Sequence, residues 1–388
     1  MVRYIYRNKM KKKLYLVFHG RFPSEKAAAL FAAKSAASFA KHFDVTLIVP
    51  KRKGVSQDDP YTFYSVERNF SIEYVWTLDV FTIPLLKRIA FWTSFIAFSA
   101  SVYFHLMKRA DKQDIIYSNE SLPLFLLSWD FKNTFYEMHD FPESKITFFG
   151  RFLSRMKWVL IHNRWKLGEV QKLFPKIPGS KYLYEPNAVD VTAFDIAISK
   201  QDARKKLSLP TSKKIAVYTG HLYGWKGVDT LAQAAKLLSD EYLVIFVGGT
   251  PADVEALKKK YQANTISIVG FRPHEEMPLW QKAADVLVLP NTAKEKISMY
   301  YTSPMKLYEY MASGRPIIAS SIPSIREIVD EHSAYLTIPD DPDAFAKALI
   351  EVTGNPGKYE SQAKEAYKKV LDHTWDKRAA RIVSYMGL

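Results

Sequence analysis

The sequence contains no cysteine. Disulfides and thiolate metal sites are therefore excluded, and the chain fits a reducing compartment. No short-period repeat or low-complexity stretch is present. No secretory leader is expected: the basic start from Arg3 to Lys13 is followed only by the apolar run Leu14 to Phe18, and a leader needs roughly 7–15 apolar residues. That run, closed by His19-Gly20, reads as the first strand of a domain. Acidic residues are outnumbered, 40 against 55 basic ones, for a net charge of +15. The excess is uneven. Residues 1–185 hold 29 Lys and Arg against 16 Asp and Glu, and the remainder holds 26 against 24. A basic half predicts a surface that meets something anionic, such as lipid headgroups, a phosphate-bearing acceptor or nucleic acid.

With 388 residues, 48% of them apolar, the chain suits two α/β domains of roughly 180 residues each. Strand 14–18, a helix within 24–41 and strand 44–50 make a βαβ unit, which implies a parallel sheet. Further strands are expected at 114–118, 133–138 and 158–161. EPNAVD at 185–190 has turn chemistry and reads as the hinge between domains. The same grammar restarts with strands 214–219, 242–247, 266–269, 285–289 and 316–319. Two doubly wound domains, 1–185 and 186–373, are thus expected to face each other across a cleft at their strands' carboxyl ends, where such sheets bind ligands. Residues 374–388 are expected to form a helix that packs back towards the first domain.

The stretch 89–107 has no formal charge and is flanked by Lys87-Arg88 and Lys108-Arg109. Its length approaches a membrane span of roughly 20 residues. Thr93, Ser94, Ser99, Ser101 and His105 dilute it, so it reads as a helix packed in the domain or lying in a membrane interface.

The most informative segment is SPMKLYEYMASGRPIIAS, 303–320. Ser303 suits an N-cap and Pro304 a first helical position, and Gly314 ends the helix before the next strand. Free N–H groups at such a start, at Met305 and Lys306, bind a diphosphate through oriented dipoles. Glu309 lies one turn on, where it either accepts ribose hydroxyls or is simply solvated.

Here the sequence resembles the family-4 glycosyltransferases (glycosyl transferases group 1) of GT-B fold, collinearly over nearly the whole chain. EYMASGRPIIAS matches their phosphate-and-ribose helix, VYTGHLYGWKGVDTLAQAAKLL (217–238) their strand, glycine and KG loop, YEPNAVDVTAF (184–194) their hinge, and EMHDF (137–141) their N-domain histidine loop.

The resemblance implies a retaining hexosyl- or glycosyltransferase that uses a nucleotide-diphosphate sugar and neither a cofactor nor a metal. Lys226 then stabilises the leaving diphosphate, Glu309 holds the ribose, and His139 lies near the reacting sugar. Gly220, Ser303, Pro304, Met305 and Lys306 contribute to the donor site. Phe271 and Arg272 fall where relatives hold the base. His221 replaces the family's usual arginine. Tyr301 replaces a glutamate that holds donor-sugar hydroxyls, so donor selectivity is not inherited. Gly20, with Arg21 and Lys26 on the acceptor side, follows the first strand, where amides approach phosphate. The Asp341/Asp343 pair reads as a helix cap rather than a metal motif. The expected acceptor is a glycan or lipid-linked saccharide, with 81–109 touching an anionic bilayer from the cytoplasmic side and no nucleic acid involved. Rival readings are a GT-B nucleotide-sugar epimerase and a non-catalytic nucleotide-sugar or membrane binder.

Overall fold

The computed structural model describes residues 11–53, 56, 58–79, 87–144 and 146–387. Most of the basic N-terminal start, and residues 81–86 of the 81–109 segment, lie outside them.

The chain forms two units. One comprises the residues up to Ile161, Gln171–Leu183 and the tail from Ala379. The other comprises His162–Val170 and Tyr184–Arg378.

The first unit is built on seven strands: β1 Lys13–Val17, β2 Asp44–Pro50, β3 Ser71–Val75, β4 Ile115–Ser118, β5 Asn133–Met138, β6 Trp158–Ile161 and β7 Tyr182–Tyr184. Their order is β3-β2-β1-β4-β5-β6-β7, with parallel pairing from β3 through β6. β4 and β5 are buried throughout. A parallel sheet covered on both faces buries its central strands along their whole length. β3 is half exposed with only Val75 buried, and β7 has three residues. These edge strands, like the short β13 below, carry no buried run and were not foreseen. Leu14, Leu16, Val45, Leu47 and Phe135 pack with Ala29, Ala33 and Phe39 of helix Ala27–Phe39. Ala379, Ile382 and Met386 of the helix Trp375–Met386 join the same core.

The apolar stretch is helix Lys87–Met107. Ala90, Phe95, Phe98, Val102 and Leu106 are buried on one side, whereas Ile89, Trp92, Ile96, Phe104 and Met107 are exposed. Length and apolar composition alone would let it cross a membrane. Its fully buried Ser94 and Ser99 instead face the protein interior.

The second unit contains β8 Lys214–Thr219, β9 Tyr242–Val247, β10 Ile266–Gly270, β11 Val286–Leu289, β12 Ile317–Ser320 and β13 Tyr335–Thr337. All pairs are parallel, in the order β10-β9-β8-β11-β12-β13. This is the Rossmann order. Side chains alternate across the sheet. Ile215, Val217, Ile245 and Leu287 meet Leu307, Tyr308 and Met311 of helix Met305–Ser313 on one face. Ala216, Tyr218, Val244 and Val286 meet Val228, Leu231 and Ala235 of helix Val228–Lys236 on the other.

Candidate functional site

In the second unit the strand order reverses between β8 and β11. Ligands of doubly wound sheets bind at the carboxyl ends of such a pair. β8 ends at Thr219 and runs into Gly220, whose φ is +121°. The loop continues through the 3-10 turn Gly224–Lys226 to Gly227, at φ +73°. A Cβ on Gly227 would sit 1.8 Å from the carbonyl oxygen of Pro290, just beyond β11. Glycine is therefore required there, and it brings the two loops into contact.

Two lysines converge at this edge. Lys306 donates from Nζ to the Thr219 carbonyl at 3.2 Å and lies 3.8 Å from the centre of the Tyr218 ring. The Lys226 ammonium lies 3.7 Å above the Trp225 ring. Among the described residues, neither ammonium has a carboxylate within ion-pair distance. Burial pushes the Lys226 pKa down to about 8. Burial, then the charge of Lys226, pushes that of Lys306 well below the usual lysine value, against an opposing pull from Glu309. Two half-buried like charges oppose each other until an anion is placed between them.

The helix Met305–Ser313 begins at the same place and differs from expectation by one position. Pro304, not Ser303, takes the N-cap, and no side chain caps it. Ser303 is turned inward and buried, and its carbonyl accepts from Asn187 Nδ2 at 2.6 Å. The proposed hinge motif thus tethers this loop through Asn187. The uncapped N–H groups add partial positive charge beside the lysines.

Glu309 is 9% exposed. Its Oε1 lies 3.0 Å from His274 Nε2. His274 opens the turn His274–Glu276 directly after β10, three residues beyond Phe271. Phe271 and Arg272 are exposed there, Arg272 donating to the Phe271 carbonyl at 2.8 Å. His221 stacks on Tyr223 with centroids 4.9 Å apart, and its carbonyl accepts from Tyr218 at 2.6 Å. Tyr301 ends a π-helical turn, Ile297–Tyr301, where an open loop was expected. Trp165 stacks on Tyr300 at 4.8 Å and meets Tyr301 at 5.2 Å. Aromatic packing therefore occupies the position where the resembling family carries a glutamate. Asp341 caps the helix Pro342–Gly354 by accepting from the Ala344 amide at 2.9 Å.

In the first unit the equivalent switch lies between β1 and β4. Gly20, Arg21 and Lys26 follow β1, and His139 follows β5. Arg21 donates to the Lys53 carbonyl, and Lys26 is the N-cap of helix Ala27–Phe39. His139 lies 3.4 Å from Glu137 and edge-on to Phe31. Sequence reasoning missed a polar cluster there. Arg52 donates to His19 Nε2 at 2.8 Å and lies 3.7 Å from Asp79, while the His19 amide donates to Glu120 at 3.1 Å. Burial and Arg52 push His19 down to about 3, and burial raises Glu120 to about 7. His19, Arg52 and Glu120 each stand two residues beyond the end of β1, β2 and β4, a spacing that marks the carboxyl edge.

Residues 213–355 match the family glycosyl transferases group 1. The likeness to that family is carried by this part of the chain. The matched part holds every second-unit site residue named above apart from Trp165 and Asn187. The D-inositol 3-phosphate glycosyltransferase of Corynebacterium urealyticum is 24% identical over 63% of this chain and 60% of its own length. The UDP-Gal:alpha-D-GlcNAc-diphosphoundecaprenol alpha-1,3-galactosyltransferase of Escherichia coli is 29% identical over 50% of each chain. The first relatives are matched over only 36–60% of their length. Fold likeness extends further. Sucrose-phosphate synthase of Thermosynechococcus elongatus superposes at TM-score 0.76 with 18% identity, covering 96% of this chain and 98% of its own. Anabaena HepE, solved with UDP and glucose, gives 0.71 with 17% identity, covering 96% and 99%. The fold is GT-B, two parallel Rossmann-like α/β sheets.

Proposed function

We propose that the chain is a retaining glycosyltransferase that moves a sugar from a nucleoside-diphosphate sugar to a hydroxyl of a glycan or lipid-linked saccharide. The observation that carries this reading is the pair Lys226 and Lys306, without carboxylate partners among the described residues, beside the uncapped start of helix Met305–Ser313. Positive charge there offsets the charge built on a departing diphosphate. The base belongs at Phe271 and Arg272, the ribose at Glu309 and the diphosphate at the lysines. UDP in HepE, and the UDP-Gal donor named for the E. coli relative, support this choice of donor. Tyr301, Gly220 and His221 border the donor, and His139 serves the reacting sugar. The acceptor hydroxyl attacks on the face that the diphosphate leaves, and the diphosphate itself takes the proton. Catalysis is then positioning and charge stabilisation, with no metal and no dedicated protein base.

A thermal-shift panel of UDP-, GDP-, ADP- and dTDP-sugars tests the donor site. A ligand at a hundred times its dissociation constant adds about 2.7 kcal/mol. One member should stabilise the protein, lose that effect in Lys226→Ala and Glu309→Ala, and yield free nucleoside diphosphate when a lipid-linked acceptor is added. No stabilisation, or an equal response in both variants, overturns the reading. Stabilisation without turnover would favour the non-catalytic binder.

The diphosphoundecaprenol acceptor named for the E. coli relative and the basic first half support an acceptor presented at a membrane's inner face. The exposed Ile89, Trp92, Ile96, Phe104 and Met107 are the contact we assign to it, with Arg21 and Lys26 towards acceptor phosphate. Co-flotation with vesicles containing anionic lipid is expected. Recovery only in the soluble fraction at low salt contradicts it.

A further inference from the structure

His274 was not among the residues foreseen from sequence, yet it holds Glu309. Its Nε2 is 3.0 Å from Glu309 Oε1. Its ring stands edge-on to the buried Phe194, with centroids 5.6 Å apart. Pro273 precedes it, and the turn His274–Glu276 fixes its backbone. The ring packs against this apolar neighbour, and its Nε2 meets the carboxylate.

Glu309 has a competing partner. Its charge reaches Lys306, which shares the first turns of the same helix. A carboxylate released from His274 would gain Coulomb energy by turning towards that ammonium. Two functions would then be lost together. Lys306 would be neutralised where an anion is to bind, and Glu309 would no longer face the space between Phe271 and the lysines. In the observed arrangement Lys306 points instead to the Thr219 carbonyl at 3.2 Å. With Oε1 tied to His274, Oε2 and the remaining Oε1 lone pair stay available as acceptors.

We infer that His274 is the positioning residue of the ribose subsite, holding Glu309 towards the sugar diol and away from Lys306. The inference rests on the nucleotide reading above and deepens it. A vicinal diol presents two donors to a fixed carboxylate, and a 2′-deoxyribose presents one. Discrimination between them measures the placement of Glu309, whereas overall affinity also reflects base and phosphate.

Calorimetric titration with UDP and with GDP, each against its 2′-deoxy counterpart, tests the inference. The wild-type chain should prefer the ribose form of whichever nucleotide binds by about tenfold, a charge-assisted hydrogen bond's worth. His274→Ala should keep the wild-type melting temperature, since the side chain is 44% exposed. It should weaken the ribonucleotide about tenfold and bring the ribose to deoxyribose ratio close to one. His274→Gln, whose amide can still donate to Oε1, should recover most of that ratio. A wild-type ratio in His274→Ala overturns the inference while leaving the nucleotide reading intact. Failure of both UDP and GDP to bind the wild-type chain overturns the inference, and the nucleotide reading falls with it only if ADP and dTDP fail to bind as well.

Discussion

At the carboxyl edge of the first sheet, charged groups satisfy one another. Arg52 faces Asp79 and His19, and Glu120 accepts the His19 amide. At the corresponding edge of the second sheet, the half-buried Lys226 and Lys306 stand beside an uncapped helix start with no carboxylate partner among the described residues. The strand winding around the two switch points is the same, so topology supplies the location and the side chains supply the chemistry. The cluster at the first edge is paired within itself. The second is an anion site whose cost falls when the anion arrives.

The sharpest way to break this comparison is through glycine. Gly227→Ala places a methyl 1.8 Å from backbone at φ +73°, so unfolding in urea should show a loss of about 4 kcal/mol or more. The first-unit counterpart, Gly20, would first meet the Phe18 ring, at 2.2 Å. A ring that must shift costs about 1–3 kcal/mol, so Gly20→Ala should be the milder change. Equal losses would show that the second loop is no more tightly built than the first.

Next in size is the response of nucleotide affinity to the lysines. Lys226→Ala and Lys306→Ala should each weaken UDP by about 10–100-fold in calorimetry, the value of a charged hydrogen bond. With Lys226 titrating at about 8 in the empty site, UDP binding must take up a proton above that pH. Affinity should therefore fall as pH rises past 8, and less steeply in Lys226→Ala. A pH-independent affinity would remove the anion-site half of the comparison.

The first edge predicts a different pH signature. Glu120 is raised from 4.5 to about 7 in the folded chain. Its protonated form is favoured on folding, so its contribution is complete below pH 4.5 and is lost as pH rises through 7. His19 is lowered from 6.5 to about 3, so its contribution is present above 6.5 and is lost as pH falls towards 3. Glu120→Gln should therefore melt above the wild-type chain at pH 8 and approach it near pH 4.5. A difference that does not change with pH would mean Glu120 is not dehydrated. The smallest expected effect is Asp341→Ala, about 1 kcal/mol for a lost N-cap, with UDP affinity unchanged.

The central strands were legible because both faces of each sheet are covered, which leaves runs such as DVTLIVP, YLVIFV and DVLVL. β3, β7 and β13 are short or half-exposed edges, and no run betrayed them. Lys226, Lys306 and Glu309 were legible because a glycine loop and a helix start have local sequence signatures. His274 was not, since its partner is 35 residues away and only the packing of β10 beside the helix brings them together. Ser303 was read as the cap because local propensity favours it, but Asn187, 116 residues earlier, claims its carbonyl. His19, Arg52 and Glu120 became visible as a group only once β1, β2 and β4 were seen to be neighbours.

A crystal of the chain soaked with UDP tests the central claim most directly. The diphosphate should lie against the Met305 and Lys306 amides, within hydrogen-bond reach of the Lys226 and Lys306 ammonium groups, with the ribose on Glu309. Density for the nucleotide anywhere else, or both lysines still turned to Trp225 and Thr219 with the nucleotide bound, would contradict it.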